Sequence, residues 1–363
     1  MRIGMPHMGN LYIPFKAMFQ RLGIDYVMPP MTNQRTLSLG VKYSPEGLCI
    51  PFKLTLGNLI EAAEMGADTL LMPGGYGICR LGYYAKIQKE ILRDLGYHVE
   101  MVQLGISERK LLGLLGMIKR LSNDAPWSKI ISSFRFGIAK MNALDNVERA
   151  VQKARAVEME KGTANRLFAK AIGEIDRADD SVTVKKVQAD YVARLGQIPR
   201  SDTRPLVVGV TGEFYVVLEP FSNLDVEREL GKLAVEVRRT TFTSEWTKFS
   251  LFLNPLGVNE KDRIHKAASP YLKRDIGGDG WESVGEKVLH AGKYDGLIHL
   301  APFTCMPEIV AQNIMPSTRE NMPVLTILCD EQVAKAGMLT RLEAFVDLLK
   351  YRRRHRERMA AVA

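Results

Sequence analysis

Four cysteines are spread over 363 residues, and two of them share a local grammar. Cys49 stands in "GLCIPFK" and Cys305 in "FTCMPEI", each two residues before a proline and each followed by an apolar run of helical spacing. Proline is tolerated in the first turn of a helix, where a missing N–H costs little, so Cys-x-Pro predicts a sulfur carried at the start of a helix. Cys79, in "GGYGICRLGYY", stands directly before a third such run. A helix N-terminus presents unpaired N–H groups and partial positive charge, which favour thiolate over thiol. Thiolate is the form that ligates metal. Any one of these cysteines alone reads best as a small hydrophobe. The same setting at three positions points to one shared site.

The elements that must carry these sulfurs follow from the pattern around them. "RIGMP", "DYVMPP", "DTLLMPGG" and "HVEMVQLG" are short apolar runs, and "LYIPFKAMFQRLG" and "RLGYYAKIQKEILRDLG" are helix-like segments ending in glycine. Such alternation predicts parallel βαβ units. From about Ser107 to Gln197 the apolar residues fall at three- and four-residue spacing with charges between them, as in "WSKIISSFRFGIAKMNAL" and "VKKVQADYVARLG", which predicts helices. After a linker-like "QIPRSDTRP", the runs "LVVGV", "LAVEV", "YDGLIHLAPF" and "MPVLTILCD" restore the α/β pattern up to a last helix at "TRLEAFVDLLKYRRR". The expected fold class is therefore α/β: two Rossmann-like parallel-sheet lobes, residues 1–106 and 201–363, with a helical segment, 107–200, between them. Cys79 and Cys305 lie just beyond the carboxyl end of a strand, the edge where open α/β sheets bind ligands. We expect the metal site in the cleft between the lobes.

Composition narrows the function classes. A hydrophobic fraction of 46% and a charged fraction of 25% are those of a soluble globular chain. Four widely separated cysteines cannot staple a small domain and point to a reducing compartment. "MRIGMPHMGN" has no leader-like apolar core, and no run approaches the roughly 20 apolar residues of a membrane helix. A cytoplasmic protein with no membrane partner is expected. The net charge of +9 owes much to "KYRRRHRER", Lys350 to Arg358. It reads as a solvated helix end, and without an aromatic-interleaved basic groove nucleic acid is disfavoured.

Three sulfurs fit two metal chemistries. Zinc asks for a fourth protein ligand or a water; His7, after the first strand, or His299, in "LIHLAPF", could supply the ligand, although a packed or loop histidine is the reading we prefer for each. An iron–sulfur cubane on three cysteines leaves one iron open to water or substrate, and ligand softness does not separate the two metals. Cys329, at the end of "VLTILC", reads as a core or strand-end cysteine. Thr211, Gly212 and Glu213 follow "LVVGV" at the same sheet edge, where a carboxylate could meet substrate or a neighbouring subunit; Glu213 and His7 are the catalytic candidates. Asn223 reads as a helix cap. "GGDGWESVG" (Gly277 to Gly285) is a glycine-rich turn that matches no nucleotide fingerprint. Arg341 and Glu343 read as a surface pair.

At "GLCIPFKLTLGNLIEAAEMGADTLLMPGGYGICRLGYY", "GEFYVVLEPFSNLDVERELG", "YDGLIHLAPFTCMPEIVAQNIMP" and "PVLTILCDEQVAKAGMLTRLEAFVDLL" the sequence resembles the cysteine-bearing subunits of the 2-hydroxyacyl-CoA dehydratase and benzoyl-CoA reductase family. It is most similar to the uncharacterised branch described as CoA-enzyme-activase-associated. The resemblance covers most of both α/β lobes and leaves the helical middle poorly matched. It implies a single [4Fe-4S] cluster held by Cys49, Cys79 and Cys305 with one open iron. It also implies an ATP-hydrolysing activator of the actin/sugar-kinase fold, with its own cluster, as electron donor under anaerobic conditions. A homo- or heterodimer with a related subunit would accompany it. The activity implied is that of an oxidoreductase or dehydratase on a small, acyl-CoA-type substrate. A non-catalytic electron carrier and a zinc-stabilised structural protein stand as alternatives. The acyl-CoA pocket of the family has no counterpart that the sequence reveals.

Overall fold

The computed structural model of the protein describes residues 1–74, 79–104, 111–244 and 262–362, with backbone alone for 111–114 and 362. The glycine-rich bend at 75–78 and the first residues of the helical stretch, 107–110, lie outside the described residues. The remainder forms two compact units, each built on its own sheet.

The first unit comprises Met1–Asn142 and Ala178–Val184, with Thr243 and Ser244. Its strands β1 (Arg2–Gly4), β2 (Asp25–Val27), β3 (Thr69–Pro73) and β4 (Glu100–Leu104) lie in the order β2-β1-β3-β4, all parallel. The chain leaves β1 towards β2 on one side and returns to β3 on the other, so the switch point falls between the carboxyl ends of β1 and β3. Helix α1 (Tyr12–Leu22) ends on Gly23, whose φ of 73° lets its N–H reach back to Gln20. A capping box of Asn33 and Thr36 starts α2 (Gln34–Tyr43). Helix α3 (Ile50–Glu64) is buried from Ile50 through Ala62, which explains why its apolar residues run all round it. It touches α2 backbone to backbone. A methyl group at Gly40 would stand 1.8 Å from the Lys53 carbonyl oxygen, and one at Gly57 2.0 Å from that of Thr36. Helix α4 (Leu81–Asp94) follows β3.

Helices α5 (Leu111–Leu121), α6 (Trp127–Val157), α7 (Thr163–Arg177) and α8 (Ser181–Gln197) make up the helical stretch, and its residues are divided between the two units. The second unit contains Ala143–Arg177, Lys185–Phe242 and the described residues from Asp262 on. Strands β5 (Leu206–Gly212), β6 (Val235–Arg239), β7 (Gly296–Pro302) and β8 (Val324–Cys329) pair in parallel in the order β6-β5-β7-β8. The switch point here lies between β5 and β7. Every residue of β7 is buried, in keeping with an apolar run interrupted only by His299. Short α9 (Phe214–Leu218) and α10 (Val226–Lys232) follow β5; then come α11 (Asp262–Ala268), α12 (Gly280–His290), α13 (Met306–Ile314) and α14 (Lys335–Val362). Buried Arg239 of β6 pairs with Glu148 of α6 and, at 3.2 Å, with Glu227 of α10, fastening both helices to the sheet. The basic run of α14 is anchored rather than wholly solvated, since Arg353 and Arg356 both pair with Asp295 just before β7. Among the described residues no helix is long and apolar enough to cross a membrane.

Candidate functional site

In the first unit, Cys49 is the N-cap of α3, with extended backbone (φ −69°, ψ 160°) and proline in the first turn. The residue is buried, at 8% exposure, and its sulfur lies 2.7 Å from the Tyr84 hydroxyl, a hydrogen bond between the start of α3 and α4. The Tyr84 ring is held edge-on to Phe52, centroids 5.0 Å apart. Cys79 stands one residue before Arg80, the N-cap of α4, and is partly exposed. Arg80 in turn donates to the Gly47 carbonyl at 2.9 Å, two residues before Cys49. The first two turns of α4 therefore grip the Cys49 loop twice, and one helix start carries Cys79 while holding Cys49. His7, on the loop after β1, is buried against Tyr12. Its Nε2 donates to the Pro29 carbonyl at 2.7 Å, a carbonyl being only an acceptor, which leaves Nδ1 as a bare lone pair without a hydrogen-bond partner. Burial pulls the imidazole below its ordinary range, so it is neutral. Its backbone N–H is fixed by Asn58 of α3 at 3.1 Å.

In the second unit, Cys305 is the N-cap of α13, again with proline in the first turn, and is partly exposed. The residue before it, Thr304, has φ 69°. A β-branched side chain in the left-handed region is strained by about 1–3 kcal/mol. Phe303, Met306 and Ile309 around it present apolar surface to solvent.

Carboxyl groups gather at this edge. Glu213 follows Gly212, whose φ of 139° suits glycine and where a methyl group would stand 2.0 Å from the Leu300 carbonyl oxygen. The Glu213 carboxyl accepts from the Val216 N–H at 2.9 Å and its own N–H donates to Leu300. Asp279, in the glycine-rich turn before α12, accepts from the Phe214 N–H at 3.0 Å. Burial, and then the charge of Asp279, push Glu213 up to about 8, against the opposing N–H groups of Val216 and Tyr215. At neutral pH this group is mostly the acid, not the carboxylate that the sequence suggested. Fully buried Glu308, in the first turn of α13, accepts from Ser283 at 2.8 Å and lies 2.6 Å from Nε2 of equally buried His299.

Several sequence readings are settled by these contacts. His299 is a packed histidine inside β7, its other nitrogen 3.3 Å from Thr326. Glycines of "GGDGWESVG" serve close packing: a methyl group at Gly280 would meet the Pro307 carbonyl oxygen at 2.4 Å, and one at Gly285 the Ile264 carbonyl oxygen at 2.3 Å. Asn223 accepts from the N–H groups of Asp225 and Val226 at the start of α10, a capping role. Arg341 pairs with no Glu343; its guanidinium donates to the Thr326 carbonyl. Cys329 closes β8 with a thiol that burial pushes up to about 12. Tyr84, Asp279, Ser283 and Glu308 were not singled out by the sequence.

The three candidate ligands thus have the soft-donor chemistry and the helix-start positions that a thiolate-held group asks for. Among the described residues no group of three or more cysteine, histidine or acidic side chains is placed to hold a metal ion. Residues 2–242 match the family model of the CoA enzyme activase uncharacterised domain. The chain belongs to that family. The match takes in Cys49, Cys79, His7 and Glu213 and ends just after β6, so the part of this family member that carries Asp279, Cys305 and Glu308 lies beyond it. No curated protein matches the sequence.

Proposed function

We propose that the protein is a redox protein of the 2-hydroxyacyl-CoA dehydratase and benzoyl-CoA reductase type. It holds one [4Fe-4S] cluster on Cys49, Cys79 and Cys305 and receives low-potential electrons from an ATP-hydrolysing activator. Its substrate is a small reducible compound, for which acyl-CoA thioesters are the first class to test. The single observation that carries this reading is the pair of hydrogen bonds from the start of α4 to the Cys49 loop, because it ties two cysteines, 30 residues apart, to one helix terminus at a switch-point edge. A family named for CoA enzyme activases supports the choice of partner.

The cluster would supply one-electron chemistry at an iron without a protein sulfur. The chain's own part is positioning and proton supply. Tyr84 and Arg80 fix the Cys49 loop. Glu213, mostly protonated at neutral pH, holds a proton of the kind that reduction of an organic substrate consumes. Neutral His7, with a bare Nδ1, is an acceptor at the corresponding edge of the first unit.

Anaerobic isolation tests the proposal. Brown protein with about four irons and matching sulfide per chain, reduced by the activator only with ATP, is the expected result. Colourless protein with stoichiometric zinc would replace this reading by the structural one. Cluster reduction without turnover of any acyl-CoA would leave an electron carrier.

A further inference from the structure

We propose that Tyr84 is a positioning residue for the sulfur of Cys49, and that its hydroxyl sets how readily a group bound to that sulfur accepts an electron. The inference rests on the reading of Cys49 as a ligand, and extends it to a residue that neither the family match nor the sequence pattern points to.

The geometry is direct. The hydroxyl oxygen is 2.7 Å from the sulfur, and Tyr84 is 4% exposed. Its ring is buried and packs edge-on against Phe52, at 89° with centroids 5.0 Å apart, which favours this orientation of the hydroxyl. Burying a phenol hydroxyl costs free energy unless it finds a good acceptor. A thiol sulfur is a weak acceptor, whereas a thiolate is an anion, and hydrogen bonds to ions are shorter and about twice as strong as neutral ones. The contact places the hydroxyl within hydrogen-bond reach of the sulfur, where it can donate to a ligated, anionic Cys49. The same helix start bears Cys79, five residues earlier, so α4 would contribute one ligand and the hydrogen-bond donor to another.

The consequence for electron uptake has a definite sign. No bond is made or broken; one electron enters from a low-potential donor, and negative charge on the sulfur grows. A donor aimed at that sulfur stabilises the reduced form more than the oxidised one and raises the reduction potential. Removing the hydroxyl lowers it.

The test compares wild type, Tyr84→Phe and, as a control, Tyr83→Phe, whose side chain is 62% exposed. Full-length protein is isolated anaerobically and titrated with dithionite under electron paramagnetic resonance. Tyr84→Phe keeps the ring and its contact with Phe52, so wild-type iron and sulfide content is expected, with a midpoint potential shifted to more negative values. Tyr83→Phe leaves it unmoved. An unchanged midpoint at full cluster content in Tyr84→Phe would overturn the proposal. Should the wild-type protein prove to lack iron, the cluster reading fails by itself, and Tyr84 is then tested on the metal-free chain. Alkylation of Cys49 by iodoacetamide, read by mass spectrometry, is expected to slow several-fold in Tyr84→Phe because less of the sulfur is thiolate; an equal or faster rate would overturn the role of Tyr84.

Discussion

The two units share one topology and differ in what they set at the same edge. Both run their parallel strands in an order with one switch point, and both place a cysteine as N-cap of the helix that starts at or beside it. In the first unit Cys49 meets a tyrosine hydroxyl, the Arg80 guanidinium holds the loop two residues before it, and neutral His7 is fixed by Asn58 further along the same helix. Around the β5–β7 edge that bears Cys305 stand three carboxyl groups, Glu213, Asp279 and Glu308, with His299 beneath them. One scaffold thus sets a cysteine against a hydroxyl at one edge and gathers proton-bearing carboxyl groups at the other. Fold alone does not assign chemistry; here the side chains on two copies of one edge divide it.

The largest effect that would break this contrast comes from the sulfurs themselves. Cys49→Ala, Cys79→Ala and Cys305→Ala are each expected to abolish iron retention in anaerobically isolated protein, whereas Cys329→Ala leaves the iron content at the wild-type level. Retention of full iron in any of the first three removes that residue from the site.

Next in size is Glu308→Ala. It strands Ser283 and the Nε2 of His299 in a region where both residues are wholly buried. Leaving buried polar groups without partners costs about 1–3 kcal/mol each, so a loss of roughly 2–5 kcal/mol in urea denaturation is expected. Glu308→Gln keeps an oxygen acceptor and is expected to lose distinctly less. Equal losses for the two variants would mean that the carboxylate itself, rather than side-chain bulk or a single acceptor oxygen, holds this edge.

How far this contrast is legible in the sequence depends on whether the physics is local. Cysteine two residues before proline announces a helix start because both effects act within one turn, and Cys49 and Cys305 are N-caps as read. The parallel strands were legible from apolar runs between glycine and proline. Helix α2 was missed although Asn33 and Thr36 form its capping box, a signal available from two residues three apart. Tyr84 was invisible for a different reason. In "RLGYYAKIQKEIL" it reads as one more core aromatic, and only the packing of α4 on α3 aims its hydroxyl at a sulfur 35 residues away. Glu308 looks like an acid favoured by the first turn of any helix, and Asp279 like one more turn residue. Their partners, His299 and the Phe214 N–H, are set by the sheet rather than by neighbours in sequence.

A pH profile sharpens the second half of the comparison. The folded chain holds the Glu213 proton up to about 8, while the unfolded chain releases it near 4.5. Between those values the folded state binds the extra proton, so stability falls as pH rises and levels off above about 8. Glu213→Gln has no proton to lose. Its stability relative to wild type is expected to grow from pH 5 to pH 8, by a few kcal/mol at most, as read from urea midpoints at each pH. A difference that does not vary with pH would show that Glu213 titrates as an ordinary carboxyl.

The smallest effect separates the causes of that shift. Burial is the leading one and the charge of Asp279 the second, with a further contribution from Glu308. Asp279→Asn keeps an oxygen that can accept from the Phe214 N–H and removes the charge alone. Glu213 is then expected to titrate below 8 yet still above the usual glutamate range, since burial persists. Carbon-13 resonances of labelled glutamate carboxyls, assigned by their loss in Glu213→Gln, report this directly. A titration unmoved by Asp279→Asn would show that the charge of Asp279 does not reach Glu213, and would leave burial as the dominant cause of its raised titration.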